Sequence, residues 1–351
     1  MEDSLVLVAC TWNLGIKDVA EPSRSLGAGE FGWLAALCAR VRPTLVMLGL
    51  QEVHPSKLPS IRDSVLQALG TSGFEGLFEI LCIEAANSYS PLLVFERRTE
   101  CERREVSGGD GVQIESLNFS FDGNEVCSKG CVSARFLRTG VQLCLANAHL
   151  EAGHAKLRQR NEMQSKIEAS LASVNASPSL LVLVGDLNYR IEGEEGFGSI
   201  KEPTKSRPED GNARFDAEFE QITNLCEAGM ASERLFPARC QLRQAMLAGT
   251  AFKDFEEAAV TFQPTYKRTA VNRDEVNLKP GILSFDRKDR RLPGWCDRVL
   301  WRREGEVLVS ASDYDAVESA DFSDHRPVHV VLRISTPSLG RQQSKCQATP
   351  V

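Results

Sequence analysis

Five aliphatic residues in a row, Leu180 to Val184, run without a polar break into Gly185-Asp186-Leu187-Asn188-Tyr189-Arg190. A run that short, with no polar face, reads as a strand buried on both sides, so it requires a sheet with material packed against each face. The sudden change at Gly185 puts polar side chains at the strand's edge. Residues two apart in an extended chain project to the same side, so Asp186 and Asn188 can face one centre. Asp and Asn are also ordinary turn formers, and a strand running into a turn is the competing reading of the segment taken alone.

The same pattern recurs along the chain. Asn13 in Thr11-Trp12-Asn13-Leu14, Glu52 in Leu50-Gln51-Glu52-Val53 and His149 in Asn147-Ala148-His149-Leu150 each end or follow an apolar run. Asp297 and Arg298 open the apolar segment that reaches Trp301, and Asp324 and His325 precede Pro327 and another apolar run. A proline directly before a strand excludes helix, so these polar residues belong to loops at a sheet edge. Each is ordinary alone; their repetition points to one site assembled from distant segments.

Strands are predicted at 5–10, 44–50, 78–85, 92–95, 112–119, 131–137, 141–148, 180–184, 298–301, 306–310 and 328–334. Helices are predicted at 31–40, 61–69, 156–174, 215–225 and 232–247, where apolar residues recur at three- and four-residue spacing. The expectation is an α/β chain: a four-layer sandwich of two packed mixed β-sheets flanked by helices. No internal repeat divides it. A single domain is expected over 1–335, with 193–212 and a tail at 336–351 as loose segments.

The net charge of −7 is uneven. Tyr266 to Arg303 carries an excess of six positive charges, which leaves −13 for the rest. One basic segment on an acidic protein suits a small polyanion at a single site better than a nucleic-acid track, although a solvated charged loop has the same composition. The eleven Cys lack zinc-site spacing, Cys127 and Cys131 having no second Cys/His pair downstream, so reduced buried thiols are expected. With no basic leader, no stretch of membrane-spanning length and no prenylation box, a cytoplasmic protein with at most peripheral membrane contact is expected, and a monomer.

These segments resemble the endonuclease/exonuclease/phosphatase superfamily, and within it the inositol polyphosphate 5-phosphatase branch. Gly185-Asp-Leu-Asn-Tyr-Arg190 and Pro293-Gly-Trp-Cys-Asp-Arg298 are similar to the branch's two signatures. Phe252 to Glu256, Thr261-Phe-Gln-Pro-Thr-Tyr-Lys267, His149 to Gly153 and Arg160-Asn161 extend the likeness, which covers roughly Leu5 to Ile334. Departures are local. Leu183-Val184 replaces the usual aromatics, Glu162-Met163 follows Arg160-Asn161 where an Asp is usual, and Asp289 stands where a Lys is common, with Lys288 shifted by one.

The resemblance implies the DNase I-like fold and Mg²⁺-dependent removal of the 5-phosphate from an inositol phosphate or phosphoinositide, not nucleic acid. It implies Asp186 activating water, Asn188 holding water or a phosphate oxygen, Asp297 paired with His325, and His149 as a further phosphate donor. Glu52, Asn13 and Asp324 are the implied metal ligands, consistent with magnesium's preference for oxygen. Tyr266, Lys267, Arg291, Lys288, Arg190 and Arg298 are the implied substrate contacts. A metal-dependent abasic-site or DNase-like endonuclease, and an inactive phosphoinositide-binding module, are the competing readings.

Overall fold

The computed structural model describes residues 5–16, 26–71, 77–84, 89–98, 113–118, 128–138, 140–172, 178–193, 209–270, 285–287 and 290–336. Among the described residues eleven strands lie in two mixed sheets. The first has the order β10(Leu308–Ala316), β11(Val328–Ser335), β1(Leu5–Ile16), β2(Leu45–Val53), β4(Leu92–Arg98), β3(Leu77–Glu84). The second has the order β5(Gln113–Asn118), β6(Gly130–Arg138), β7(Val141–His149), β8(Leu180–Asp186), β9(Asp297–Arg303). Helices α1(Gly32–Val41) and α2(Leu58–Gly70) pack on the first sheet, and α3(Leu157–Ala172) and α4(Glu209–Glu227) join the core around the second. This is the two-sheet DNase I-like architecture.

Strand β1 shows why both faces must be covered. Leu5, Leu7 and Ala9 belong to the cluster shared with β7 and β8, while Val6, Val8, Cys10 and Trp12 pack with residues of α1 and α2. Period-two alternation thus sends one set to the partner sheet and the other to the helices. The two sheets meet closely at Gly49: a Cβ there would lie 2.5 Å from Asn147 Oδ1 and 2.5 Å from Val184 Cγ2. Asn147 bridges the same contact, its amide donating to the Leu50, Ser90 and Pro91 carbonyls and accepting from Gln51 at 2.7 Å.

Each sheet contains one parallel pair, β1 with β2 and β7 with β8, flanked by antiparallel partners. The parallel strands therefore finish at one edge, and the antiparallel β9 and β11 start there. That is the origin of the sequence pattern, in which Asn13, Glu52, His149 and Asp186 close apolar runs while Asp297 and His325 precede them.

Two expected elements differ. The helix expected at 232–247 is broken into α5(Ala231–Arg234), α6(Phe236–Arg239) and α7(Gln241–Leu247). Pro237 lies in the first turn of α6, and Cys240 is extended so that it bridges to Ile191. The strand expected at 306–310 runs instead from Leu308 to Ala316, with Asp313 at φ 53 inside a register shift. Residues 209–212, expected to be loose, are the first turn of α4; 194–208 and the tail from 337 lie outside the described residues. Among the described residues no helix is long and apolar enough to cross a membrane.

Candidate active site

Cross-strand register lines up the centre. His149 pairs with Asp186, and Asp186 with Asp297, so an imidazole and two carboxylates stand in one row across β7, β8 and β9. Two carboxylates directly opposite one another repel and persist only where neighbours compensate. Here the compensation is His325, whose Nδ1 lies 2.8 Å from Asp297 Oδ2 and whose Nε2 lies 3.9 Å from Asp186 Oδ2. The Thr265 hydroxyl donates to the same Asp297 oxygen at 2.6 Å. All three members of this cluster are buried.

Burial disfavours the charged imidazole, but Asp297 and Asp186 outweigh it and push the His325 pKa up to about 9. Burial likewise pushes Asp186 up, yet the His325 charge and the neighbouring His149 and Lys129 hold its carboxyl well below the usual range. At neutral pH the site therefore holds an ionised Asp186 beside an imidazolium. Its loop is fixed from both sides. The Asn13 amide nitrogen donates to Asp186 Oδ2 at 3.0 Å, and the Asn188 backbone N–H donates to Asp186 Oδ1 at 3.1 Å. Gly185 allows the approach, since a Cβ there would lie 1.9 Å from the Ala148 carbonyl oxygen.

Several side chains take parts other than those expected. Asn13 Oδ1 accepts from the Gly15 N–H at 3.1 Å, so its amide turns nitrogen rather than oxygen to the centre. Asn188, at φ 57, donates to the Leu150 carbonyl at 3.0 Å and accepts from Arg190 at 2.5 Å. Its side chain is used in building the loop. Arg298 is absent from the group: fully buried, it forms an ion pair with Glu257, which also accepts from Tyr314, and contacts Cys240. The alternation that points Asp297 into the site points Arg298 away from it. Lys288 lies outside the described residues.

His149 Nε2 lies 3.4 Å from Asp186 Oδ2, 3.9 Å from Glu52 Oε1 and 2.5 Å from Lys129 Nζ. Burial and the Lys129 charge lower the His149 pKa against the opposing pull of Asp186 and Glu52. Lys129 was not anticipated. It directly precedes Gly130, the cross-strand partner of His149, and the only available signal was a charge placed just before an apolar strand. Glu52 is half-buried at the end of β2 with φ 58, a costly conformation for a residue with a side chain, of the kind concentrated at functional sites.

Four of the implied substrate contacts, Tyr266, Lys267, Arg190 and Arg291, are described by their neighbours. Tyr266 stacks on His325, ring centroids 4.5 Å apart, and lies under the Arg190 guanidinium at 4.6 Å. Arg291 donates to the Tyr266 hydroxyl at 2.5 Å, and Lys267 is ion-paired with Asp286 at 2.8 Å. Asp324 is half-buried and outside the clustered acids; Ser323, which donates to the Asn13 carbonyl at 2.6 Å, is 3.5 Å from its carboxylate.

The donor set bears on a metal. Asp186, Asp297 and His325 present ligand atoms within 4.8 Å of one another; His325 Nδ1 and Asp297 Oδ2 are engaged with each other, while the buried Asp297 Oδ1 has no hydrogen-bond partner. The half-buried Glu52 carboxylate beside ionised Asp186 offers hard oxygens that fit a divalent cation such as magnesium.

A two-sheet fold whose strand ends gather Asp, His and Glu around one centre defines the class. Residues 10–202 and 209–331 match the Endonuclease/Exonuclease/phosphatase family 2, and the chain belongs to that family. It is 27% identical over 265 residues to the yeast (Saccharomyces cerevisiae) phosphatidylinositol 4,5-bisphosphate 5-phosphatase INP51, an alignment covering 74% of this chain and 23% of the relative. It is 30% identical over 227 residues to the rat (Rattus norvegicus) phosphatidylinositol 3,4,5-trisphosphate 5-phosphatase 1, covering 61% of this chain and 17% of the relative. The chain thus spans under a quarter of the length of these relatives. Its fold matches the solved inositol polyphosphate 5-phosphatase domain of SPSynaptojanin, in complex with inositol (1,4)-bisphosphate and calcium ion, with TM-score 0.70, 21% identity, and coverage of 96% of this chain and 87% of that one.

Proposed function

We propose that this protein hydrolyses the 5-phosphate of inositol polyphosphates or phosphoinositide lipids. The observation that carries the reading is the row His149, Asp186, Asp297 closed by His325, at the sheet edge whose rim holds Tyr266, Lys267 and Arg291. The names of the relatives supply the substrate class.

Phosphate monoesters hydrolyse extremely slowly unaided, so a site must position water and offset charge. Ionised Asp186 accepts a hydrogen bond from the attacking water and aims its oxygen at phosphorus. With so low a pKa it is a weak base, so it orients the water and accepts the proton only as the new P–O bond forms. The imidazolium of His325, held by Asp297, donates to a phosphate oxygen, and Lys129 adds positive charge from the His149 side. Glu52 and Asp186 are the residues to hold magnesium, with Asn13 orienting Asp186 and Asp324 at the rim. When bound, that ion offsets phosphate charge and acidifies water. The bond from phosphorus to the inositol oxygen breaks, that oxygen takes a proton from solvent water to leave as a hydroxyl, and Asp186 returns its proton to solvent.

Tyr266, Lys267 and Arg291 would hold the neighbouring 4-phosphate through charge-assisted bonds, with Arg190 bracing Tyr266. Phosphate release from soluble and lipid substrates, with and without a 4-phosphate, tests this: Lys267→Ala should raise KM about tenfold only for substrates bearing one. Equal loss on both would refute the role. The endonuclease reading predicts nicking of plasmid with magnesium, which this account excludes.

A further inference from the structure

The ammonium assigned to the neighbouring phosphate already has a partner. Lys267 Nζ donates to Asp286 Oδ2 at 2.8 Å, and the two side chains are 11% and 23% exposed, so the pair is partly withdrawn from water. The carboxylate is held in place. The Asp286 backbone N–H donates to the Lys267 carbonyl at 3.0 Å, and the adjacent Phe285 bridges Arg268 under its guanidinium. On the other side Arg287 pairs with Asp216 at 2.8 Å and stacks on Phe219. The segment carrying Asp286 is thus fastened to α4 and to the strand-like stretch around Arg268.

We propose that Asp286 is a built-in competitor for the phosphate that neighbours the scissile one, so that its charge limits how strongly the site prefers substrates carrying that group. The inference rests on the reading of Lys267 given above. A phosphomonoester brings close to two negative charges and three acceptor oxygens. To reach Lys267 it must displace a carboxylate or share the ammonium with it, and sharing brings two anions together at a weakly solvated point. A substrate with only a hydroxyl there meets no such opposition, and the ion pair stays intact. Asp286 therefore narrows the difference between the two substrate classes.

The test is calorimetric titration of the full chain with inositol 1,4-bisphosphate and with inositol 1-phosphate, for the wild type, Asp286→Asn, Asp286→Ala and Asp286→Glu. Asp286→Asn and Asp286→Ala should tighten the bisphosphate about three- to tenfold, leave the monophosphate unchanged, and make binding more sensitive to salt. Asp286→Glu should keep the wild-type ratio. If Asp286→Asn keeps the wild-type thermal midpoint yet leaves the bisphosphate preference unchanged or weakened, Asp286 only positions Lys267 and the inference is overturned, while the site reading stands. If neither the wild type nor Asp286→Asn prefers the bisphosphate, or if neither binds the probes, the reading of Lys267 fails and takes the inference with it.

Discussion

Each centre residue has its charge set by its neighbours, and pH makes that measurable. The pKa of His325 is raised from an ordinary value near 6.5 to about 9 by Asp297 and Asp186. The stability this pairing contributes is complete below the ordinary value and is lost as pH rises through about 9. Turnover should follow the same limb, steady through neutral pH and falling above about 9 as the imidazolium loses its proton. His325→Gln should lower kcat about a hundredfold and abolish that limb. A pH profile in which the limb survives the substitution would assign the titration to another group. Arg298 makes the opposite case. Removing it strands Glu257 in the interior, so Arg298→Leu should cost about 3–5 kcal/mol in denaturant unfolding with KM unchanged for the folded fraction; a selective rise in KM would restore Arg298 to the substrate site.

Among the elements, what was legible followed from burial. Strands with two covered faces, such as β1, β2, β7 and β8, carry uninterrupted apolar runs, and their ends located most of the centre. The exposed edge strand β10 has no such run, because an edge strand needs no apolar face, and its polar stretch Ser310 to Asp315 hid it. Helical spacing over 232–247 was real, but Pro237 and the bond from the Gln241 N–H to the Arg190 carbonyl broke the helix so that it braces the loop after Asp186. Lys129 and the spent side chains of Asn13 and Asn188 were illegible for a different reason: their roles depend on cross-strand register and amide orientation, which spacing does not encode. The contact between sheets gives a test at this scale. Gly49→Ala would push a methyl against Asn147 and Val184, neither of which is free to retreat, and should destabilise by about 1–3 kcal/mol in chemical unfolding. A neutral result would mean the sheets are not seated as closely as described.

At the scale of the whole molecule, two sheets pack so that ends of strands from both halves of the chain close on one point. The acidic body and its basic segment fit a small, highly charged substrate at that point, and the breadth of the family leaves the reaction to be decided by the site. The central claim is that ionised Asp186 aims water at phosphorus while the inositol oxygen departs intact. Turnover of inositol 1,4,5-trisphosphate in oxygen-18 water, with mass analysis of both products, addresses it directly. The account predicts one heavy oxygen in the released phosphate, none in an inositol 1,4-bisphosphate product, and release abolished by Asp186→Ala. Label in the inositol ring, loss of a phosphate other than the 5-phosphate, or turnover that survives Asp186→Ala would contradict it.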